Sequence, residues 1–166
     1  MSSIWRRCIS VGAASYSLTG FAYLTVGQIL ETAAGTGALT RALAVSLPET
    51  VDITARDLNQ PVLDLGAAAL GLERVRGRQA DAQALPFAHQ AFDAVLCQFG
   101  VMFFPNRHAA FNETRRVMRP GSRLLFTAWD GLESNSLGYI AHRTAFTLFP
   151  TLERFHADWK YPWWRK

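Results

Sequence analysis

From residue 25 onward the chain alternates short aliphatic and β-branched runs with helical patterns, and Gly, Pro, Asn or Asp marks each switch. Val26 to Thr32 predicts a strand running into the small-residue turn Ala33-Ala34-Gly35-Thr36-Gly37. Leu39, Leu43 and Leu47 recur at i, i+4 and i+8, which predicts a helix that Pro48 ends. Val51 to Arg56 alternates as a second strand, closed by Asp57. A second helix opens near Pro61, where a missing N–H costs nothing in the first turn, and continues through Leu63, Leu65 and Leu70 to Gly71.

Val75 to Ala80 reads as a third strand at an edge, because arginines alternate there with Val75, Gly77 and Gln79. Phe92 to Gln98 holds the near-continuous apolar run of a strand covered on both faces. Arg107 to Met118 predicts a helix with Ala110, Phe111, Thr114, Val117 and Met118 on one stripe, and Arg119-Pro120-Gly121 a turn. Leu124 to Trp129 follows as a fifth strand and Ser136 to Leu148 as a last helix. The order predicts an α/β fold: a Rossmann-like, doubly wound, mostly parallel sheet of about five strands with helices on both faces.

The 166 residues suffice for one core, and 49% hydrophobic with 18% charged residues excludes disorder and a coiled coil. No apolar run reaches the ~18 residues of a membrane helix, so a soluble chain without a membrane span is expected. Cys8 and Cys97 lack CxxC or metal-type spacing, which reads as two thiols of a reduced cytoplasmic domain, and no metal is expected. A net charge of +4 is too modest to point to nucleic acid. The ends differ from the middle: residues 1–24 form a divergent, acid-free segment, 25–150 the core, and 151–166 a basic aromatic tail.

Ligands of such sheets bind beyond the carboxyl ends of the strands, near the point where strand order reverses. The turn after the first strand carries almost no side-chain bulk, and the helix behind it offers unpaired N–H groups. Asp57 ends the second strand, twenty positions after Gly37, where a carboxylate can accept hydrogen bonds from ribose hydroxyls. A dinucleotide site would want a third glycine, yet Ala38 or Thr40 stands there. Glu31 followed by Gly35-Thr36-Gly37 instead resembles the first motif of class I S-adenosylmethionine-dependent methyltransferases.

Three further stretches resemble that family in order: Ala80-Asp81-Ala82-Gln83-Ala84-Leu85-Pro86-Phe87, Phe92 through Phe104, and Glu113-x-x-Arg116-Val117-Met118-Arg119-Pro120-Gly121-Ser122 before Leu124-Leu125-Phe126. The likeness covers roughly residues 27 to 150 and is strongest to the small-molecule, quinone-biosynthesis-like branch, methyltransferase type 11. It implies S-adenosyl-L-methionine as cofactor and a small-molecule methyl acceptor. Carried over by position, Glu31 and Ala33, Gly35, Thr36 and Gly37 hold the methionine end; Asp57 and Leu58 take ribose and adenine. Asp81 and Ala82 take the adenine edge, and Gln98 and Phe99 lie below the methyl donor. Asp64 and Asp93 read as structural.

Methyl transfer from a sulfonium needs orientation and exclusion of water more than a base. None of His89, His108, His142 and His156 sits in a motif, so no catalytic residue is assigned. Gln98-Phe99-Gly100-Val101 replaces the D/N-P-P-Y stretch of base methyltransferases, which argues against nucleic acid. Relative to the family, the chain departs at Asn106, at Arg56 and at its ends, where the usual C-terminal antiparallel strand pair has no room. A truncated core is therefore expected, its fifth strand's edge open to a homodimer or partner subunit. Three readings stay open: a methyltransferase, a non-catalytic methyltransferase-like domain, and a nucleotide or nucleic-acid binding module.

Overall fold

In the computed structural model, residues 27–70, 75–128 and 136–149 are described. The N-terminal segment 1–24 and the tail 151–166 of the sequence reading lie outside them. Two units divide the chain, Met1–Ala128 and Trp129–Lys166. The first holds β1 (Gln28–Thr32), α1 (Ala38–Ser46), β2 (Asp52–Asp57), α2 (Gln60–Leu70), β3 (Val75–Gln79), β4 (Phe92–Gln98), α3 (Arg107–Val117) and β5 (Met118–Thr127). Of the second unit, α4 (Ser136–Leu148) is described; along it the Arg143 guanidinium lies 5.9 Å from the Tyr139 ring.

The five strands run parallel in the order β3-β2-β1-β4-β5. Chain order proceeds outward from β1 to β3, then resumes at β4 on the other side of β1. The reversal therefore falls between β1 and β4. From Ile29 onward β1 is buried on both faces, as a central parallel strand must be. Its period of two sends Ile29 toward Leu39 and Leu43 of α1, together with Ile53 and Leu96, and sends Leu30 toward Val95 and Val117. Burying Leu39 or Leu43 in this way contributes roughly 1.5–3 kcal/mol per side chain.

No helix joins β3 to β4; the loop 80–91 covers that face instead. Leu85 is buried in it, and Phe87 meets Phe92 edge to face at 4.8 Å. The Glu113-x-x-Arg116 motif fastens this loop to α3. Arg116 pairs with Glu113 at 2.7 Å and donates to the carbonyls of Phe87 (2.6 Å) and Leu85 (2.8 Å), while the Leu85 N–H donates to Glu113 (2.8 Å). Asn106 caps α3 by accepting from the Ala109 N–H at 3.0 Å, work an aspartate would do equally well.

The fifth strand differs from its sequence expectation, since it begins at Met118 rather than Leu124. Phe92 pairs with Met118 and Ala94 with Arg123, so Arg119-Pro120-Gly121 loops out as a bulge inside the strand. Gly121 takes a φ of 81° there. The bulge is pinned by Arg119 Nη1, which donates to Asp93 Oδ1 at 2.5 Å. Asp93 also accepts from the Gly27 and Gln28 N–H groups at 2.9 and 2.8 Å, which makes it structural, as its strand-start position implied. Asp64 accepts from Gln60 at 2.7 Å on the surface of α2. β3 and β5 are the sheet's edges among the described residues.

Candidate functional site at the carboxyl ends of the strands

Strand β1 delivers Glu31 and Thr32 into a turn built on left-handed backbone: φ is 52° at Ala33, 56° at Gly35 and 77° at Gly37. Phe99, just beyond β4, has a φ of 54°. Two adjoining strands thus each end in a non-glycine residue held in a region costing roughly 1–2 kcal/mol. Strain of this kind concentrates at functional sites. Close packing surrounds the turn. A Cβ on Gly100 would overlap the Ala33 Cβ and lie 2.7 Å from Cys97 Sγ. From the α2 side, a Cβ on Gly66 would lie 2.7 Å from the Thr36 carbonyl oxygen.

The turn and the carboxylate of Asp57 are brought together. The Gly35 N–H donates to Asp57 Oδ2 at 2.9 Å, and the Asn59 N–H to Oδ1 at 2.9 Å. The Ala34 N–H donates to the Arg56 carbonyl at 3.0 Å and the Ala80 N–H to the Asp57 carbonyl at 2.9 Å, so the ends of β1, β2 and β3 are tied in one row. Each Asp57 oxygen keeps a further lone pair for an incoming hydroxyl. Beside it Leu58 is 67% exposed, and its carbonyl accepts from Gln79 Nε2 at 2.9 Å.

Glu31 lies beneath the turn, 1% exposed. Thr40 of α1 donates its hydroxyl to Glu31 Oε2 at 2.5 Å. Burial pushes the Glu31 carboxyl up to about 7, against the pull of the Thr40 hydrogen bond and with the help of the negative Asp57. Burial also pushes the neighbouring Cys97 thiol up to about 11, which leaves it protonated and unreactive. Thr40 occupies a position where a dinucleotide pattern would place glycine, and its hydroxyl is what the buried acid needs.

Asp81 and Ala82 follow β3. Asp81 accepts from the Gln83 N–H at 2.8 Å and from Gln83 Nε2 at 3.1 and 3.2 Å, a local turn. Gln83 in turn accepts from the Asn106 N–H at 2.9 Å. Gln98 ends β4 opposite Thr127, and the Phe99 N–H is shared between the Thr127 carbonyl (3.1 Å) and hydroxyl (3.0 Å). A short 3-10 turn, Val101–Phe103, comes next, with Phe103 76% exposed. His89 and His108 are exposed, whereas the His142 side chain and His156 lie outside the described residues.

Arg56, the unusual neighbour of Asp57, points to the opposite face by strand alternation. Its Nη1 donates to the Ala55 and Arg76 carbonyls at 2.9 Å each, and its guanidinium sits 4.9 Å from the Phe87 ring. Its side chain reaches the loop 80–91, while its carbonyl holds the turn through the Ala34 N–H. Burial, then the charge of Arg78, lowers its pKa. Thr40, Gly66 and Gly100 are the functional-site neighbours that sequence reasoning missed, because close approach is a tertiary property.

These groups fit a particular kind of ligand. A Cβ on Gly35 would meet nothing within 4 Å, so the turn is open on its outer side. Two carboxyl groups beside it disfavour a pyrophosphate and suit hydroxyls and a cation. Among the described residues no three His, Cys, Asp or Glu side chains cluster to hold a metal ion, and no helix is long and apolar enough to cross a membrane.

The sheet order, with all five strands parallel, is that of the Rossmann-like fold found in class I S-adenosylmethionine-dependent methyltransferases. Residues 30–126 match the family model described as a methyltransferase domain, and the chain belongs to that family. The ubiquinone/menaquinone biosynthesis C-methyltransferase UbiE of Pseudomonas aeruginosa is 33% identical over 129 residues, covering 75% of this chain and 50% of its own length. The protein of that name from Geotalea daltonii is 30% identical over 125 residues, covering 73% and 50%. A crystal structure of a putative methyltransferase from Bacillus halodurans superposes with a TM-score of 0.59 at 29% identity, covering 67% of this chain and 48% of its own. One from Methanococcus maripaludis gives a TM-score of 0.63 at 21% identity, covering 87% and 66%, a likeness of fold. The chain spans about half the length of the curated relatives it matches.

Proposed function

We propose that the protein binds S-adenosyl-L-methionine at the ends of β1, β2 and β4 and transfers its methyl group to a small-molecule acceptor. The observation that carries this reading is the Gly35 N–H bonded to the Asp57 carboxylate at 2.9 Å, which joins the open turn to the strand-end acid at the carboxyl ends of β1 and β2. When bound, the cofactor supplies an electrophilic methyl on a sulfonium. The chain's own work is to hold and orient. Glu31 with Ala33, Gly35, Thr36 and Gly37 receives the methionine end, backbone approach being open at Gly35.

Asp57 accepts from the ribose hydroxyls with its remaining lone pairs, and the exposed Leu58 side chain offers the adenine an apolar face. Asp81 and Ala82 border the adenine edge; Gln98 and Phe99 close the floor at β4. The small-molecule acceptor is supported by the branch to which the relatives belong and by the exposed Phe103 beyond β4. In-line displacement disperses the positive charge of the donor, so fixing the acceptor and excluding water supplies much of the rate without a fixed base.

Calorimetric titration with S-adenosylmethionine tests the reading. Binding is expected, and Asp57→Ala should weaken it at least about tenfold, the worth of a hydrogen bond to a charged group. Equal affinity in the two proteins removes Asp57 from the site, and no binding to the unaltered chain refutes the proposal.

A further inference from the structure

The face of the sheet turned away from Glu31 and Asp57 carries the opposite charge. In the register of β2 with β3, Thr54 pairs with Arg76 and Arg56 with Arg78, and the period of two puts all four on one face. Parallel neighbours stand ~4.8 Å apart, so three guanidinium stems rise from two adjacent strands. Arg76 and Arg78 are exposed, whereas Arg56 is 9% exposed. No helix follows β3; the loop 80–91 meets Arg56 through the Phe87 ring, 4.9 Å from its guanidinium.

Counter-charges for this face are missing among the described residues. The ion pairs there are Glu113 with Arg116 and Asp93 with Arg119, and neither engages Arg56, Arg76 or Arg78. Arg56 Nη1 donates to the Ala55 and Arg76 carbonyls, and its buried Nε has no hydrogen-bond partner. Asp52, on the same face of β2, lies at the amino end of the strand and accepts from Gln28 Nε2 at 2.7 Å. Asp57 is on the other face, bonded to the Gly35 and Asn59 N–H groups, and Asp81 is turned to Gln83. Burial, then the charge of Arg78, lowers the Arg56 pKa, so the two guanidiniums act on one another. A guanidinium this buried, with no carboxylate beside it, costs stability until an anion approaches.

We propose that Arg56, Arg76 and Arg78 form a phosphate site on the face of β2 and β3 opposite Glu31, in which Arg76 and Arg78 contact the phosphate oxygens while Arg56 adds its charge from beneath. Guanidinium suits this ligand, because its planar fork offers paired N–H groups to two oxygens of one phosphate. The bond from Arg56 to the Arg76 carbonyl holds β3 against β2 and so sets the spacing of the two exposed side chains. Three cations on two short strands match one small dianion rather than a long polyanion, whose binding draws on many more contacts. The site is independent of the donor reading, since it lies on the other face of the sheet.

Amide resonances followed during titration with sodium phosphate at neutral pH, against sodium chloride at matched ionic strength, test the site. Saturable shifts at Arg56, Arg76–Gln79 and Phe87 are expected at millimolar phosphate and not with chloride. Phenyl phosphate separates the sources: tighter binding than the free ion assigns the site to a phosphomonoester, weaker binding to inorganic phosphate, and either supports it. Arg78→Gln changes an exposed side chain and should weaken phosphate binding at least about fivefold, as the loss of one charge-assisted pair, while S-adenosylhomocysteine shifts Ala33–Gly37 as it does in the unaltered chain. Phosphate should also raise the unfolding midpoint of the unaltered chain more than chloride does. Equal shifts with the two salts, phosphate shifts centred on Ala33–Gly37, or undiminished binding in Arg78→Gln would overturn the proposal and leave the donor site standing. Failure of S-adenosylhomocysteine to bind would strike the donor site and leave this one.

Discussion

A carboxyl sealed beneath a backbone turn alters folding as well as binding. The Glu31 carboxyl rises from 4.5 to about 7 on folding, so between these values the folded state holds the proton that the unfolded chain has lost. Its contribution to stability is therefore complete below 4.5 and lost as pH climbs through about 7. Other acids act in reverse. At Asp93, partial burial is outweighed by hydrogen bonds from Arg119, Gln28 and Gly27, and at Glu113 the Arg116 hydrogen bond leads; both fall below the ordinary value and favour folding as pH rises. The expected measurement is a difference: from urea midpoints across this window, Glu31→Gln should lose the decline that the unaltered chain shows, about 3 kcal/mol at roughly 1.4 per pKa unit. Parallel curves for the two proteins would contradict it. At this scale Asp57 and the turn were legible, since an acid some twenty residues after a glycine turn reflects the length of one βαβ unit. The Thr40 hydroxyl on Glu31 was not, because it bridges a strand end and a helix whose relative rotation no local pattern encodes.

Glycine turns work only if their flanking elements come close enough, and here two elements do so through glycines of their own. Gly100→Ala should destabilise the fold by roughly 1–3 kcal/mol, because its methyl meets Ala33 and Cys97 in a packed corner. Gly35→Ala meets no neighbour and pays only for its φ of 56°, about 1–2 kcal/mol, yet it places a methyl where the donor is to lie. Thermal unfolding with and without S-adenosylhomocysteine separates the two: Gly100→Ala should lower the midpoint of the free protein, and Gly35→Ala should also abolish the ligand's stabilisation. A full ligand shift in Gly35→Ala would contradict the placement. The loop 80–91 gives a second test, as Arg116→Ala removes its ties to Leu85 and Phe87 and should open it to limited proteolysis. Unchanged cleavage would show the ties to be dispensable. Strand and helix positions followed from periodicity, but β5 begins six residues before the expected Leu124 because the proline-glycine turn is absorbed as a bulge. Only pairing with β4 reveals that.

Across the whole sheet, the reversal of strand order between β1 and β4 places the candidate site at one end. Arg119 and Asp93 staple the amino ends of the strands, while Ala33, Asp57, Asp81 and Phe99 gather at their carboxyl ends. The overall architecture was readable from alternation alone, since doubly wound sheets leave few orders open to a βαβαβ-β-αβ chain. The acceptor side was less so, because its residues are set by how loops meet rather than by repeats. The account's central claim is that the turn, Glu31 and Asp57 form one adenosyl-methionine crevice. Backbone amide resonances followed during titration with S-adenosylhomocysteine test it most directly. Shifts confined to Ala33–Gly37, Asp57–Leu58, Asp81–Ala82 and Gln98–Phe99 are predicted. Shifts centred elsewhere, on the β3 edge or α4, or none at saturating ligand, would contradict it.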